Sequence, residues 1–156
     1  MLKIETQTSN HVLRKKSEPV TKITPAVLGL IQDMKSTLAQ SENGVGLAAP
    51  QVGHNIRLFV VSDELAKDGH AVFINPVITQ VSKKTIPEEE GCLSLPDQWH
   101  ELGRAEKVTL KALDENGQKF KLRAKGILAR LMLHEVDHLN GINFVDHITN
   151  RDYVLA

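Results

Sequence analysis

The segment His134-Glu135-Val136-Asp137-His138 sets two histidines four residues apart. On a helix this spacing puts both imidazoles on one face, with Cβ atoms about 5–6 Å apart, so that both can reach one cation. Glu135 follows the first histidine and is turned partly around the helix, where it can hold a metal-activated water instead of ligating the ion. A solvated helix face would carry the same five residues with no chemistry, Glu135 and Asp137 serving only solubility. Against that, Ile127, Leu128, Leu131, Val136 and Leu139 make this helix largely apolar. Burying two histidines and two acids there without partners costs several kcal/mol.

A tetrahedral catalytic site needs a third protein ligand and one open position. Gly141 fits a downstream HExxHxxGxxH pattern, but Phe144 occupies the decisive position and His147 is out of register. A glutamate from a later helix is excluded as well, since none of the 18 residues after His138 is Glu. Cys92 remains, in Glu90-Gly91-Cys92-Leu93-Ser94, and a thiolate beside two imidazoles suits Fe(II) or Zn(II). A lone cysteine is ordinarily a small buried hydrophobe. This one follows Gly91 in a polar segment, which favours coordination over packing.

The elements that must position these groups are partly legible. Thr24-Pro25 supplies an N-cap and a first-position proline, and Val27, Leu28, Ile31, Met34 and Leu38 share one face of a helix that fades at Ser41-Glu42-Asn43-Gly44. Gly44 to Gln51 is too rich in glycine for a helix and too small in its side chains to anchor a core, which predicts close approach to its backbone. Ile56–Val61 and Ala71–Ile78 read as strands, the second broken or placed at an edge by Pro76. Lys83–Glu90 reads as an acidic connector. Val108 to Ala124 alternates around Asp114-Glu115-Asn116-Gly117, a hairpin signature, and Ile127–Leu139 reads as a buried helix stopped by Asn140-Gly141. Strands between two helices, without βαβ alternation, predict an α+β fold. The expected arrangement is a mostly antiparallel sheet packed around a central HExxH metal-binding helix, with an N-terminal helix.

The 156 residues, 41% apolar and 24% charged, fit one domain over 1–156. Nineteen Lys and Arg cancel nineteen Asp and Glu. No overall field therefore favours long-range capture of nucleic acid or an anionic membrane. The single cysteine excludes an intrachain disulfide and points to a reducing compartment. With neither a signal peptide nor an apolar run of roughly 18 residues, the expectation is a soluble, cytoplasmic protein.

Taken together, Gly44–Gln51 (GVGLAAPQ), Glu90–Ser94 (EGCLS) and His134–His138 (HEVDH), in this order, resemble peptide deformylase from about Val12 to Phe144. The resemblance implies hydrolysis of the N-formyl group of N-terminal formylmethionine on nascent polypeptides, releasing formate. It implies Cys92, His134 and His138 as ligands of one divalent metal: Fe(II) in the cell, with Zn(II), Ni(II) or Co(II) able to occupy purified protein. Glu135 then serves as general base and acid, and Gln51 and the Leu93 backbone N–H stabilise the developing oxyanion. Val45, Gly46 and Gly91 are implied to line the substrate cleft, and Leu131, with Ile127, stands either in a methionine pocket or in the core. Glu90 and Arg104 match a supporting ion pair, with an ordinary surface pairing as the alternative. The chain departs from the family at Leu133, where Gln is usual, and at Trp99-His100, where several members carry a substrate-facing Arg. The formyl-Met peptide is the implied partner of a monomer, with no specific nucleic acid and no membrane. Without a long C-terminal docking helix, any ribosome contact would be transient.

Overall fold

Thr24 and Pro25 begin a helix where the sequence places them. In the computed structural model, which describes residues 1–148, Thr24 Oγ1 accepts from the Val27 N–H and Pro25 stands in the first turn. A single helical turn, α1 (His11–Arg14), precedes the long helix α2 (Pro25–Gln40). It is capped by Asn10, a signal hidden in an aperiodic stretch. Ile31, Met34 and Leu38 of α2 are buried, whereas Leu28, expected on the same stripe, is 40% exposed.

The strands, in chain order, are β1 (Gly46–Ala48), β2 (Leu58–Val61), β3 (Val72–Val81), β4 (Thr85–Cys92), β5 (Leu95–Ala105), β6 (Lys107–Leu113) and β7 (Lys119–Lys125). β1-β2-β3-β6-β7 form one antiparallel sheet in that order, and β4 and β5 form a second. The fold is thus α+β with antiparallel sheets.

Alternation along the strands gives the larger sheet two faces. Phe59, Phe73, Leu110, Ala112, Leu122 and Ala124 pack with Leu128, Ala129, Leu131 and Met132 of the last long helix, α3 (Ile127–Leu139). Leu58, Val60, Val72 and Ile74 turn the other way and pack with Ile31, Met34 and Leu38 of α2. The hairpin β6–β7 forms as its pattern predicts, around a turn in which Asp114 Oδ1 accepts from the Asn116 and Gln118 N–H groups.

Three expectations need correction. Lys83–Glu90 is not a connector, because most of it lies in β4, paired with a strand β5 that has no apolar alternation because most of it is exposed. The small side chains of the glycine-rich segment do enter the core: Leu47, Ala48 and Ala49 are fully buried, in β1 and the 3-10 turn Ala49–Val52 behind it. Pro76 does not end its strand; it falls in a register shift between Ile74 and Val77, and β3 continues to Val81. The expectation of no C-terminal docking helix bears on residues 149–156, outside the described residues. No helix among the described residues is long and apolar enough to cross a membrane.

α3 ends at Asn140-Gly141. Gly141 has φ +75°, and its N–H and that of Ile142 satisfy the carbonyls of His138 and Asp137. A Cβ there would overlap the Arg14 carbonyl. Gly141→Ala is expected to lose about 1–3 kcal/mol, through left-handed strain and that overlap, and to lower Tm in a thermal melt.

Candidate metal centre and active site

Three separate pieces of chain meet at one point. α3 contributes His134 and His138, the end of β4 contributes Cys92, and the 3-10 turn after β1 contributes Gln51. The donor atoms of Cys92, His134 and His138 lie within 4.8 Å of one another. His138 Nε2 is 3.2 Å from Cys92 Sγ and 3.2 Å from His134 Nε2. Tetrahedral ligation with metal–nitrogen bonds near 2.0–2.1 Å sets two nitrogens about 3.3 Å apart, close to the separation of the two imidazole Nε2 atoms, so the cluster could hold one small divalent ion.

Glu90 is the hub that orients this set. Its Oε2 lies 2.7 Å from His134 Nδ1, which makes that nitrogen the protonated one and leaves the Nε2 lone pair for a metal. The same carboxylate takes a bidentate fork from Arg104, at 3.1 and 2.7 Å, and a bond from Arg130 Nη1 at 2.9 Å. Glu90 and Arg104 are 5% and 7% exposed, so the pair is buried and the surface alternative is excluded. Burial would raise the Glu90 pKa, but His134 and Arg104 outweigh it and hold the group well below the usual carboxylate range. Burial likewise opposes ionisation of the Cys92 thiol, yet His138 and His134 beside it bring its pKa well below the ordinary value. The chemistry of the donor set is that of a metal-ready thiolate.

Arg104 also reaches Asp137 Oδ2 at 2.8 Å, and the same oxygen is 2.8 Å from His147 Nε2. Asp137 is therefore a strut rather than a solubilising acid, and His147 supports that strut instead of joining the Cys92, His134 and His138 cluster. Arg130 escapes sequence reasoning because its partners Glu90 and Ile86 are about forty positions away.

Glu135 is 1% exposed and its Oε1 has no hydrogen-bond partner. Burial raises its pKa to about 7, against the pull of His134 and His138. The carboxylate finds space because Gly46 lacks a side chain: a Cβ there would sit 2.7 Å from Leu131 Cδ1 and 2.8 Å from Glu135 Oε2. Gln51 is held in one orientation. Its Oε1 accepts from the Ala48 N–H at 2.9 Å, so its Nε2 donates to Ser94 Oγ at 3.1 Å and points to Cys92 Sγ at 3.5 Å.

A cleft of about 530 Å³ opens onto these groups. Val45, Gly46, Gln51, Gly91, Leu93 and Leu131 all border it, together with Cys92, His134 and Glu135. Leu131 belongs to both the core and the cleft wall, while Ile127 is 61% exposed and borders the cleft rather than the core. Trp99 lies directly against Gly91, where a Cβ would be 2.7 Å from its ring, and forms another part of the wall.

The family model described as polypeptide deformylase matches residues 1–153 of this chain. The chain belongs to the polypeptide deformylase family. A peptide deformylase of Halothermothrix orenii is 50% identical over 137 residues, 88% of this chain and 87% of that protein. The crystal structure of the Thermotoga maritima deformylase superposes with a TM-score of 0.86 at 37% identity, over 94% of this chain and 97% of that one. The Synechococcus elongatus deformylase, solved in complex with actinonin, gives a TM-score of 0.87 at 39% identity over 94% and 78% of the two chains. Peptide deformylases are metal-dependent hydrolases that remove the formyl group from formyl-methionine peptides, and the Cys92, His134 and His138 cluster of this deformylase-family chain fits a metal by geometry alone.

Glu90→Gln keeps the shape of the hub but removes the charge that two arginines and His134 share. Metal affinity is expected to fall by about 10–100-fold, measured by competition with a chromogenic chelator. Affinity equal to that of the parent would show that Glu90 does not orient His134.

Proposed function

We propose that this chain, as one catalytic domain over 1–156, hydrolyses the N-formyl group of formyl-methionine at the start of nascent polypeptides in the cytoplasm, releasing formate. The observation that carries the reading is the cluster of Cys92 Sγ and two imidazole Nε2 atoms beside a cleft that Cys92, His134 and the buried Glu135, with its unpartnered Oε1, help to line. On this reading α3 is the central metal helix, and its ion is Fe(II) in the cell. When bound by Cys92, His134 and His138, a divalent ion supplies Lewis acidity, lowering the pKa of water and polarising the formyl carbonyl.

The chain's own groups do the rest. Glu135 takes the proton that the attacking water gives up and returns it to the departing amine, one carboxylate serving as base and then acid. Burial raises its pKa to about 7, which suits a group that must both accept and release a proton near neutral pH. Gln51 Nε2 and the Leu93 backbone N–H donate to the formyl oxygen as it gains negative charge, and neither must reorganise at that moment. The Gln51 bonds to Ala48 and Ser94 support this role, because they fix its amide before substrate arrives.

β1 is an edge strand, paired with β2 on one side only. Val45 and Gly46 at its start, with Gly91 opposite, offer an extended peptide a strand to pair with, while Leu131 closes the methionine pocket. A relative's complex with actinonin supports a ligand-binding role for the cleft.

Formate release from a short formyl-Met peptide, with protein loaded anaerobically with Fe(II), tests the proposal. Glu135→Ala is expected to retain metal and lose about 10²–10⁴-fold in kcat/KM. Cys92→Ser is expected to lose soft-metal affinity together with activity. Cleavage of an unformylated internal peptide bond by the loaded protein, without formate release, would replace the reading with a metallopeptidase.

A further inference from the structure

The zero net charge conceals an uneven distribution. On the face of the larger sheet that carries α2 over β1–β3, the strands β6 and β7 continue uncovered. Their residues on that face include Lys107 and Lys111 on β6 and Lys119, Lys121, Arg123 and Lys125 on β7, all exposed. These six cations alternate with the inward residues Val108, Leu110, Ala112, Phe120, Leu122 and Ala124, so they share one face. No acidic residue lies in either strand.

The register sets like charges opposite each other: Lys107 pairs with Lys125 and Lys111 with Lys121. Such cross-strand pairs are destabilising. Lysines on an edge strand are a common guard against sheet-to-sheet association, and β7 is an edge. That guard explains β7 alone. β6 is an interior strand, and its lysines gain nothing for the edge while adding repulsion.

We propose that this face binds the phosphate backbone of structured RNA without reading its sequence. Four cations recur along β7 at every second residue, a spacing of about 7 Å that continues for about 20 Å. They form a row matched to a run of phosphates, and β6 supplies the flank of a second row. A cleft of about 570 Å³ at one end is lined by Lys67, Lys107, Arg123 and Lys125 together with Gln80 and Ser82, and by no carboxylate. Cations beside uncharged hydrogen-bonding groups suit a phosphate next to a ribose hydroxyl. A lipid surface is disfavoured, because no aromatic stands among these cations: Leu113, opposite Lys119, packs toward the α2 cluster, and the exposed Val77, opposite Lys111, is a single short side chain. The metal cleft lies with α3, on the other side of the sheet, so RNA held here leaves the cleft open.

The test is fluorescence anisotropy of a labelled RNA duplex with the full chain, repeated over a salt series. Expected is a Kd of about 10⁻⁴–10⁻⁶ M near physiological salt, weakening steeply as salt rises. The triple variant Lys121→Gln, Arg123→Gln and Lys125→Gln should bind about tenfold or more weakly and lower the log–log salt slope by about 2–3. A control triple variant with the same charge loss elsewhere, Lys15→Gln, Lys16→Gln and Lys22→Gln, should bind as the parent does. Formate release by the β7 variant should match the parent, which shows it folded. Equal weakening by both variants would make the binding a net-charge effect and overturn the assignment. Capture by anionic vesicles but not RNA, or tighter binding of a DNA duplex of the same length, would overturn the choice of ligand. Absence of RNA binding, with self-association of the β7 variant, would reduce the face to an edge guard.

Discussion

One buried carboxylate holds the centre together. Glu90 stands on the smaller sheet and binds Arg104 on its neighbouring strand, Arg130 on α3 and the outer nitrogen of His134. A buried ion pair adds little net stability when formed, but removing one partner leaves an uncompensated charge at a cost of about 3–5 kcal/mol. Its value here is positional. It pins the two-stranded sheet that carries Cys92 to the helix that carries both histidines, so that the thiol and the two imidazoles, some forty positions apart in sequence, are brought together.

Around that pin the arrangement divides its labour by element. The helix supplies groups whose spacing is set by its own geometry, the end of β4 supplies the thiol, and the turn after β1 supplies an amide locked by Ala48 and Ser94. Gly46 shows how tightly these pieces are fitted. Its missing side chain is the space that Glu135 and Leu131 occupy, so the glycine serves the carboxylate as well as any peptide drawn along the strand edge.

What the sequence revealed follows from how local each signal is. The HExxH pair is written within five residues, the hairpin β6–β7 is written in alternation around one turn, and the end of α3 is written in Asn140-Gly141. β4 and β5 were illegible because most of their side chains face solvent, leaving no apolar period to read. Arg130 and Asp137 were illegible as partners for another reason: a helix pattern shows which residues share a face but not which distant carboxylate or guanidinium they meet. The charged face of β6 and β7 is intermediate, since the lysine alternation is visible in the letters but the like-charge pairing requires the register.

The pairing of β4 with β5 contains an offset. Glu90 lies opposite His100 and Cys92 opposite Leu95, so the four residues from Pro96 to Trp99 stand against Gly91 alone. That surplus length bulges into the cleft wall while the paired residues on either side stay in place. Changes in the number or kind of residues there can therefore reshape the rim without moving the thiol or the Glu90 hub. The peptide-facing surface and the reacting centre are in this sense separately adjustable parts of one strand pair, and the first can diversify while the second stays fixed.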